Sequence, residues 1–240
     1  MKDENGKEFV IYKGEKVFVN NFQYLSLYLT ELGITDISEI KGLVRLTNLQ
    51  HLLLDVSKIT EIKGLDTLEN LELLNLSYNR VAEIKGLENL TNLVELNLCF
   101  NHISELKGLD SLSNLKILRL YGNQISEIKG LENLKNLEVL EFGEAHLGIG
   151  NQITEIKGLE NLTNLKELRL SYNRITEIKG LEDLNNLKLL DLEKNNITET
   201  KGLDNLVNLT WLSLYNNPIK EYKSLENLKY LRGLYLDSKQ

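Results

Sequence analysis

The chain has 240 residues, 42% hydrophobic and 26% charged, with a formal charge of −7. That is enough apolar material for a core and one or two domains, and it argues against a nucleic-acid partner, because no basic excess can displace counterions from phosphates. The charged N-terminus MKDENGKEFV, the lack of any run near the ~18 apolar residues of a membrane span, and the lone Cys99 point to a cytoplasmic protein away from membranes.

Residues 8–20 alternate apolar and polar on both sides of Lys13-Gly14-Glu15, which predicts a β-hairpin. Residues 1–22 are assigned to this N-terminal cap, with Phe9, Ile11, Val17 and Val19 expected to face the next layer. Residues 23–240 form the second assignment, a repeat domain opened by one divergent repeat in which Leu25 and Leu27 mark the strand. On that alignment five extra residues precede the next strand, around Thr30–Ile34.

From there EIKGL or a close variant recurs at 39–43, 61–65, 83–87, 105–109, 127–131, 155–159, 177–181, 199–203 and 221–225. Each interval is 22 residues except one of 28, and a fixed period of about 20–29 residues marks a solenoid. Between these landmarks run paired leucines such as Leu96/Leu98, Leu118/Leu120 and Leu168/Leu170, alternating with other residues at period two. Nine such pairs predict nine regular short strands, which stack into one parallel sheet around a leucine core. An asparagine follows each strand (79, 101, 123, 151, 173, 195, 217), with Ser57 in the first regular coil. A short amide there can satisfy backbone donors and acceptors in a buried turn. A second column, from Asn48 to Asn208, precedes the leucines. The return segment KGLENLTNL has room only for short 3₁₀-like turns.

The long interval carries six extra residues between Phe142 and Asn151, an insertion assigned to 143–150. Leu147 and Ile149 are its apolar tip. They could enter a partner or fold back over the coil, and the sequence favours neither. Both insertions are expected along one edge of the sheet. At the C-terminal end Tyr222 and Tyr230 depart from consensus, and the edge at Tyr235 reads as open.

The motif L-x-x-L-x-L-x-x-N-x-I, repeated over residues 23–236, resembles leucine-rich repeats of the 22-residue class, as in the regulatory subunit of protein phosphatase 1 and in internalin repeat domains. The resemblance implies an α/β solenoid, a horseshoe with a parallel concave β-sheet and 3₁₀ turns on the convex side. It also implies a regulatory-subunit-like scaffold, or a surface adhesin. A structural part that self-assembles is the third alternative, although a monomer is expected.

Positions flanking each leucine pair should line the concave face. They offer Tyr78, Phe100, Arg119, Tyr121, Glu141, Glu144, Arg169, Tyr172, Asp191, Trp211, Tyr215 and Tyr235, with Leu147 and Ile149 from the insertion, as candidate protein-binding residues. Tyr, Trp and Arg are enriched at binding hot spots. The face, taken to end at Ser238, carries eight acids (Asp55, Glu95, Glu141, Glu144, Glu167, Asp191, Glu193, Asp237) against Arg119, Arg169 and Lys194, so a partner with a basic patch fits best. Nine strands ~4.8 Å apart give a face ~40 Å long, enough for a standard interface. The alternating charges of EIKG are expected only to keep the convex side wet. No catalytic, cofactor or metal site is expected: His51, His102 and His146 fall in separate repeats, Glu144 with His146 is too few ligands, and Cys99 is two strands from His51.

Overall fold

A leucine pair in a three-residue strand buries one face only if strands above and below continue the layer. The computed structural model, which describes residues 1–223 and 225–237, builds that stack. Strands β1 (Phe9–Tyr12) and β2 (Glu15–Phe18) form an antiparallel hairpin. They are followed by β3 (Ser26–Tyr28), β4 (His51–Leu53), β5 (Leu73–Asn75), β6 (Glu95–Asn97), β7 (Ile117–Arg119), β8 (Val139–Glu141), β9 (Glu167–Arg169), β10 (Leu189–Asp191), β11 (Trp211–Ser213) and β12 (Gly233–Tyr235). β3 to β12 lie side by side in chain order as one parallel sheet, with Leu52, Leu74, Leu96, Leu118, Leu140 and Leu168 in register. These leucines and those of the return segments, Leu65, Leu68 and Leu71 in one coil, are wholly buried in a single core. At ~1.5–3 kcal/mol for each fully buried leucine side chain, the core is the main stabilising term.

The returns are successive turns closed by i→i+3 bonds: Leu90 N–H donates to Leu87 O and Leu93 N–H to Leu90 O, both at 3.0 Å. Eight of the returns start at a glycine with positive φ, from Gly42 to Gly202. At Gly108 φ is 90°, and a Cβ there would lie 2.0 Å from the Ile84 carbonyl oxygen of the preceding coil, so both conformation and space demand glycine.

The asparagine column closes every coil onto the one before it. Asn101 Oδ1 accepts from Val81 N–H at 2.9 Å, while Nδ2 donates to Leu76 O at 2.9 Å and to Leu98 O at 3.1 Å in its own coil. The pattern recurs at Asn79, Asn123, Asn173, Asn195 and Asn217. Ser57 supplies one bond, accepting from Ile34 N–H at 3.3 Å. The residue ahead of the amide is left-handed: Val56, Tyr78, Phe100, Tyr172, Lys194 and Asn216 have φ of 52–56°, strained for a β-branched valine. On the outside Asn70, Asn92 and Asn114 each donate to a carbonyl of the previous coil at 2.9 Å, a second and exposed ladder. The EIKG pairs, such as Lys85 with Glu83 at 3.3 Å, are exposed ion pairs within one turn.

Three expectations shift. In the hairpin Val10, Tyr12 and Val19 join the core with Val17 against it, and Ile11 faces away; Phe9 is covered instead by Phe18, at 5.7 Å between ring centroids. Lys13 and Gly14 both have positive φ, making a two-residue turn whose register puts Val10 opposite Val17 and Phe9 opposite Phe18. In the divergent repeat Leu27 pairs with Leu52 and Leu29 is wholly buried, so the strand pair is Leu27/Leu29 and not Leu25/Leu27. The excess is therefore three residues, since positions 27 and 52 differ by 25 against the usual 22. Ile34 still meets Ser57, so the extra residues lie after it, in the 3₁₀ turn Ile37–Glu39 capped by Asp36 on the return. The two insertions do not share an edge. Ser238 and Ser224 lie outside the described residues.

Replacing Asn101 by alanine leaves the Val81 N–H and the Leu76 and Leu98 carbonyls buried without that partner, a cost of roughly 2–5 kcal/mol. The urea midpoint should fall accordingly. The exposed neighbour His102→Ala should shift stability by less than about 0.5 kcal/mol.

Candidate protein-interaction face

Side chains between the leucines point from the sheet into the concave side, and the structure sorts the candidates there into three groups. In the middle a row of opposite charges crosses β6 to β9. Glu141 on β8 is bound from both sides, by Arg119 Nε at 3.2 Å and by Arg169 Nη1 at 2.5 Å. Arg119 also pairs with Glu95, and Arg169 Nη2 with Glu167 at 3.2 Å. Parallel register at the same strand position brings these chains together, since Arg119 lies opposite Glu141 and Glu141 opposite Arg169. Glu141 is 6% exposed, and burial pushes its carboxyl up against the downward pull of both guanidiniums. The two arginines, read from the sequence as free contacts, are held by this row.

Toward the N-terminal side the left-handed turn puts Tyr78 and Phe100 on the sheet edge. Their rings stack at 4.1 Å with an angle of 14°, and Tyr121 meets Phe100 edge-on at 5.5 Å. Gly122 leaves room for that ring: a Cβ there would be 3.0 Å from it. Tyr78 remains 49% exposed on top of the stack. Burial pushes the Tyr121 hydroxyl up.

The third group gathers around the insertion. Its two stems are glycines, because Gly143 and Gly150 pass so close to the next coil that a Cβ on either would lie 1.8 Å from the carbonyl oxygen of Ser171 or Tyr172. Between them Glu144 and Ile149 exchange backbone bonds of 2.7 and 3.2 Å, and a 3₁₀ turn Ala145–Leu147 is capped by the Glu144 carboxylate, which accepts from His146 N–H. The coil below closes as expected: Asn151 accepts from Ile125 N–H at 3.0 Å and donates to Phe142 O at 2.8 Å. Leu147 is 53% exposed at the tip, Ile149 is half-buried, and Gly148 lies against the Tyr172 ring. The loop leans over the C-terminal strands and walls a cleft of 620 Å³. Glu144, Ala145 and His146 form one side, Arg169, Leu189, Asp191, Glu193 and Ser213 the floor, and Trp211, Tyr215 and Tyr235 the other side. Trp211 and Tyr235 are 5.3 Å apart, one continuous aromatic wall.

Sequence reasoning put Leu189, Glu193 and Ser213 on the face without selecting them, and it did not place Ala145 or His146 there; only the lean of the loop brings these two to the others. Asp191 is 3% exposed and accepts Glu193 N–H at 3.0 Å, and burial pushes its carboxyl up. Glu193 is pushed up too, by burial and then by the Asp191 charge. Cys99, expected on the concave surface, is buried, and burial pushes its thiol far up, away from thiolate chemistry. Among the described residues no three His, Cys, Asp or Glu side chains converge as a metal site, and no helix is long and apolar enough to cross a membrane.

The family pattern described as "Leucine Rich repeats (2 copies)" matches residues 69–111, 113–161 and 163–205, together more than half of the chain. Internalin C2 from Listeria monocytogenes is similar at 28% identity and TM-score 0.66, over 88% of this chain and 80% of that one. A leucine-rich repeat protein of Leptospira interrogans is similar at 31% identity and TM-score 0.64, over 82% of this chain and 57% of that one. The TLR13–ssRNA13 complex shares the fold at 24% identity and TM-score 0.72, over 88% of this chain and 32% of that one. No curated protein matches the chain.

A carboxyl held above its unfolded pKa costs stability above the folded pKa and costs nothing below both values. Asp191→Asn keeps the acceptor for Glu193 N–H and removes the buried charge. The variant should therefore be more stable than the parent in urea at pH 7. The gain should shrink as the pH falls through the carboxylate range and vanish near pH 3.

Proposed function

The chain belongs to the leucine-rich repeat family, and on that premise we propose that it is a non-catalytic intracellular protein–protein interaction module whose partner docks on the concave sheet. The observation that carries the reading is the placing of exposed aromatics at both ends of one open face. Tyr78 and Phe100 stand at one end and Trp211, Tyr215 and Tyr235 at the other, joined by the Glu–Arg row. Aromatic anchors around a rigid centre suit a partner of protein size. The excess of acids on the face favours a partner with a basic patch. With both arginines held by Glu95, Glu141 and Glu167, the other acids are Asp55 beside β4 and Glu144, Asp191, Glu193 and Asp237, so four of the five, with Lys194 beside them, lie toward one end. A non-catalytic role agrees with the buried Cys99 thiol.

The likeness to internalin C2 supports a second reading, a surface adhesin-type domain using the same face. Fractionation of the native cells separates the two: chain in the soluble interior supports the first, and chain at the surface the second.

Capture from native lysate tests the face itself. A Tyr78→Ala/Tyr121→Ala/Trp211→Ala variant should lose the captured partner by at least about tenfold, as hot-spot truncations of ~2 kcal/mol predict. A convex control, Lys85→Ala/Lys129→Ala, should retain it. Retention by the first with loss by the second would move the site to the convex side and overturn the proposal.

A further inference from the structure

The cleft under the insertion differs from the rest of the face in shape and in charge. The cleft is walled on both sides, where the sheet elsewhere is open, and its 620 Å³ falls within the range that ligand pockets occupy. Three carboxylates reach it, from Glu144, Asp191 and Glu193, and none has a cationic side chain within ion-pair distance among the described residues. Arg169 also lines the cleft, but Glu141 and Glu167 already hold its guanidinium. The acids act on one another: the Asp191 charge raises Glu193 against the pull of His146, and the Glu144 charge raises Asp191 against the larger pull of Arg169. Opposite them stands the Trp211–Tyr235 wall, and a π-face beside carboxylates that make no ion pair is the environment a desolvated cation prefers. The glycine stems fix the loop against Ser171 and Tyr172, so the pocket is formed before a ligand arrives.

We propose that this cleft receives one arginine side chain of the partner protein, its guanidinium lying on the Trp211–Tyr235 wall and hydrogen-bonded to Asp191 and Glu193. Arginine suits the site better than lysine. A planar fork can stack on the aromatic wall and bond two carboxylates at once, and guanidinium is the less strongly hydrated cation. The open concave side leaves room for the peptide segment that carries it. The inference rests on the protein-interaction reading and locates the basic feature of the partner at one pocket.

The chain has a single tryptophan, Trp211, so its emission reports on the cleft alone. The probe is the peptide acetyl-Gly-Gly-Arg-Gly-Gly-amide, set against its citrulline isostere and its lysine counterpart. The arginine peptide should give a saturable change in emission, with affinity at least about tenfold above citrulline and a few-fold above lysine, as loss of a charge-assisted bond implies. Asp191→Asn with Glu193→Gln should weaken the arginine peptide by about tenfold or more, while Tyr78→Ala, at the other end of the face, leaves it unchanged. Equal responses to arginine and citrulline, no saturable response to arginine, or full affinity in the double variant would each overturn the proposal. The two readings fail separately. A lysate partner still lost in the concave triple variant, with no peptide binding, sinks the cleft and leaves the face. Peptide binding with a partner indifferent to the concave substitutions sinks the face as the docking site and leaves the cleft.

Discussion

One side-chain amide per coil holds this molecule in shape. A 22-residue coil must turn inward after each strand, and an inward turn strands peptide groups away from water. The buried asparagine answers from both ends, accepting from an N–H of the coil before it, that of Val81 for Asn101 and of an isoleucine elsewhere, and donating to carbonyls in both coils. Because it bridges neighbours, every coil is registered on the last, and the leucine layers are brought into line by polar groups. Leucine supplies the driving force, but it is non-directional. The amide supplies the direction.

That division of labour frees the concave positions. A strand already fixed by its leucines and its amide can carry almost any side chain between them, and here those positions follow no period. The centre of the row, Arg119–Glu141–Arg169, exists because parallel strands bring equivalent positions together, and Glu95 from β6 and Glu167 from β9 itself complete it at either end. Its effect on the surface is to cancel charge in the centre and leave four of the five unpaired acids to one side. Asp191 is the clearest departure from stability: a carboxylate almost wholly buried, on a strand that would accept a neutral side chain. Such positions usually trade stability for function.

Period and partner chemistry were legible in the sequence to different depths. The repeat, the leucine pairs, the amide column and the closing of the coil over the long interval could all be read from spacing, because each rests on a constraint that recurs in every coil. Phase was misread where recurrence stops. In β1 and β3 two apolar sets one or two residues apart fit the same alternation, and only pairing with a neighbour chooses Val10 over Ile11 and Leu29 over Leu25. The extra residues after Ile34 hid for the same reason, since a 3₁₀ turn on the return lengthens a coil without disturbing its landmarks. Arg119 and Arg169 were visible as surface residues, but their engagement depends on Glu95 and Glu141 from two other strands and on Glu167 beside Arg169 on β9.

The broken count is where the regular architecture acquires an inside. A stack of identical coils presents a smooth trough, and a trough has no walls. Six residues added at β8, between the strand and its amide, cannot enter the stack, because Asn151 still closes the coil. They also cannot swing freely, because Gly143 and Gly150 hold both stems against the backbone of the next coil. The backbone pairing of Glu144 with Ile149 and the cap on His146 then stiffen the projection. What remains is a short wall that leans across β9 toward β12 and faces Trp211, Tyr215 and Tyr235 across the cleft. Neither side makes a pocket alone. The aromatics lie on an open sheet and the loop carries one acid and a histidine, so the enclosure comes from six residues placed at one coil and from the glycines that fix their lean.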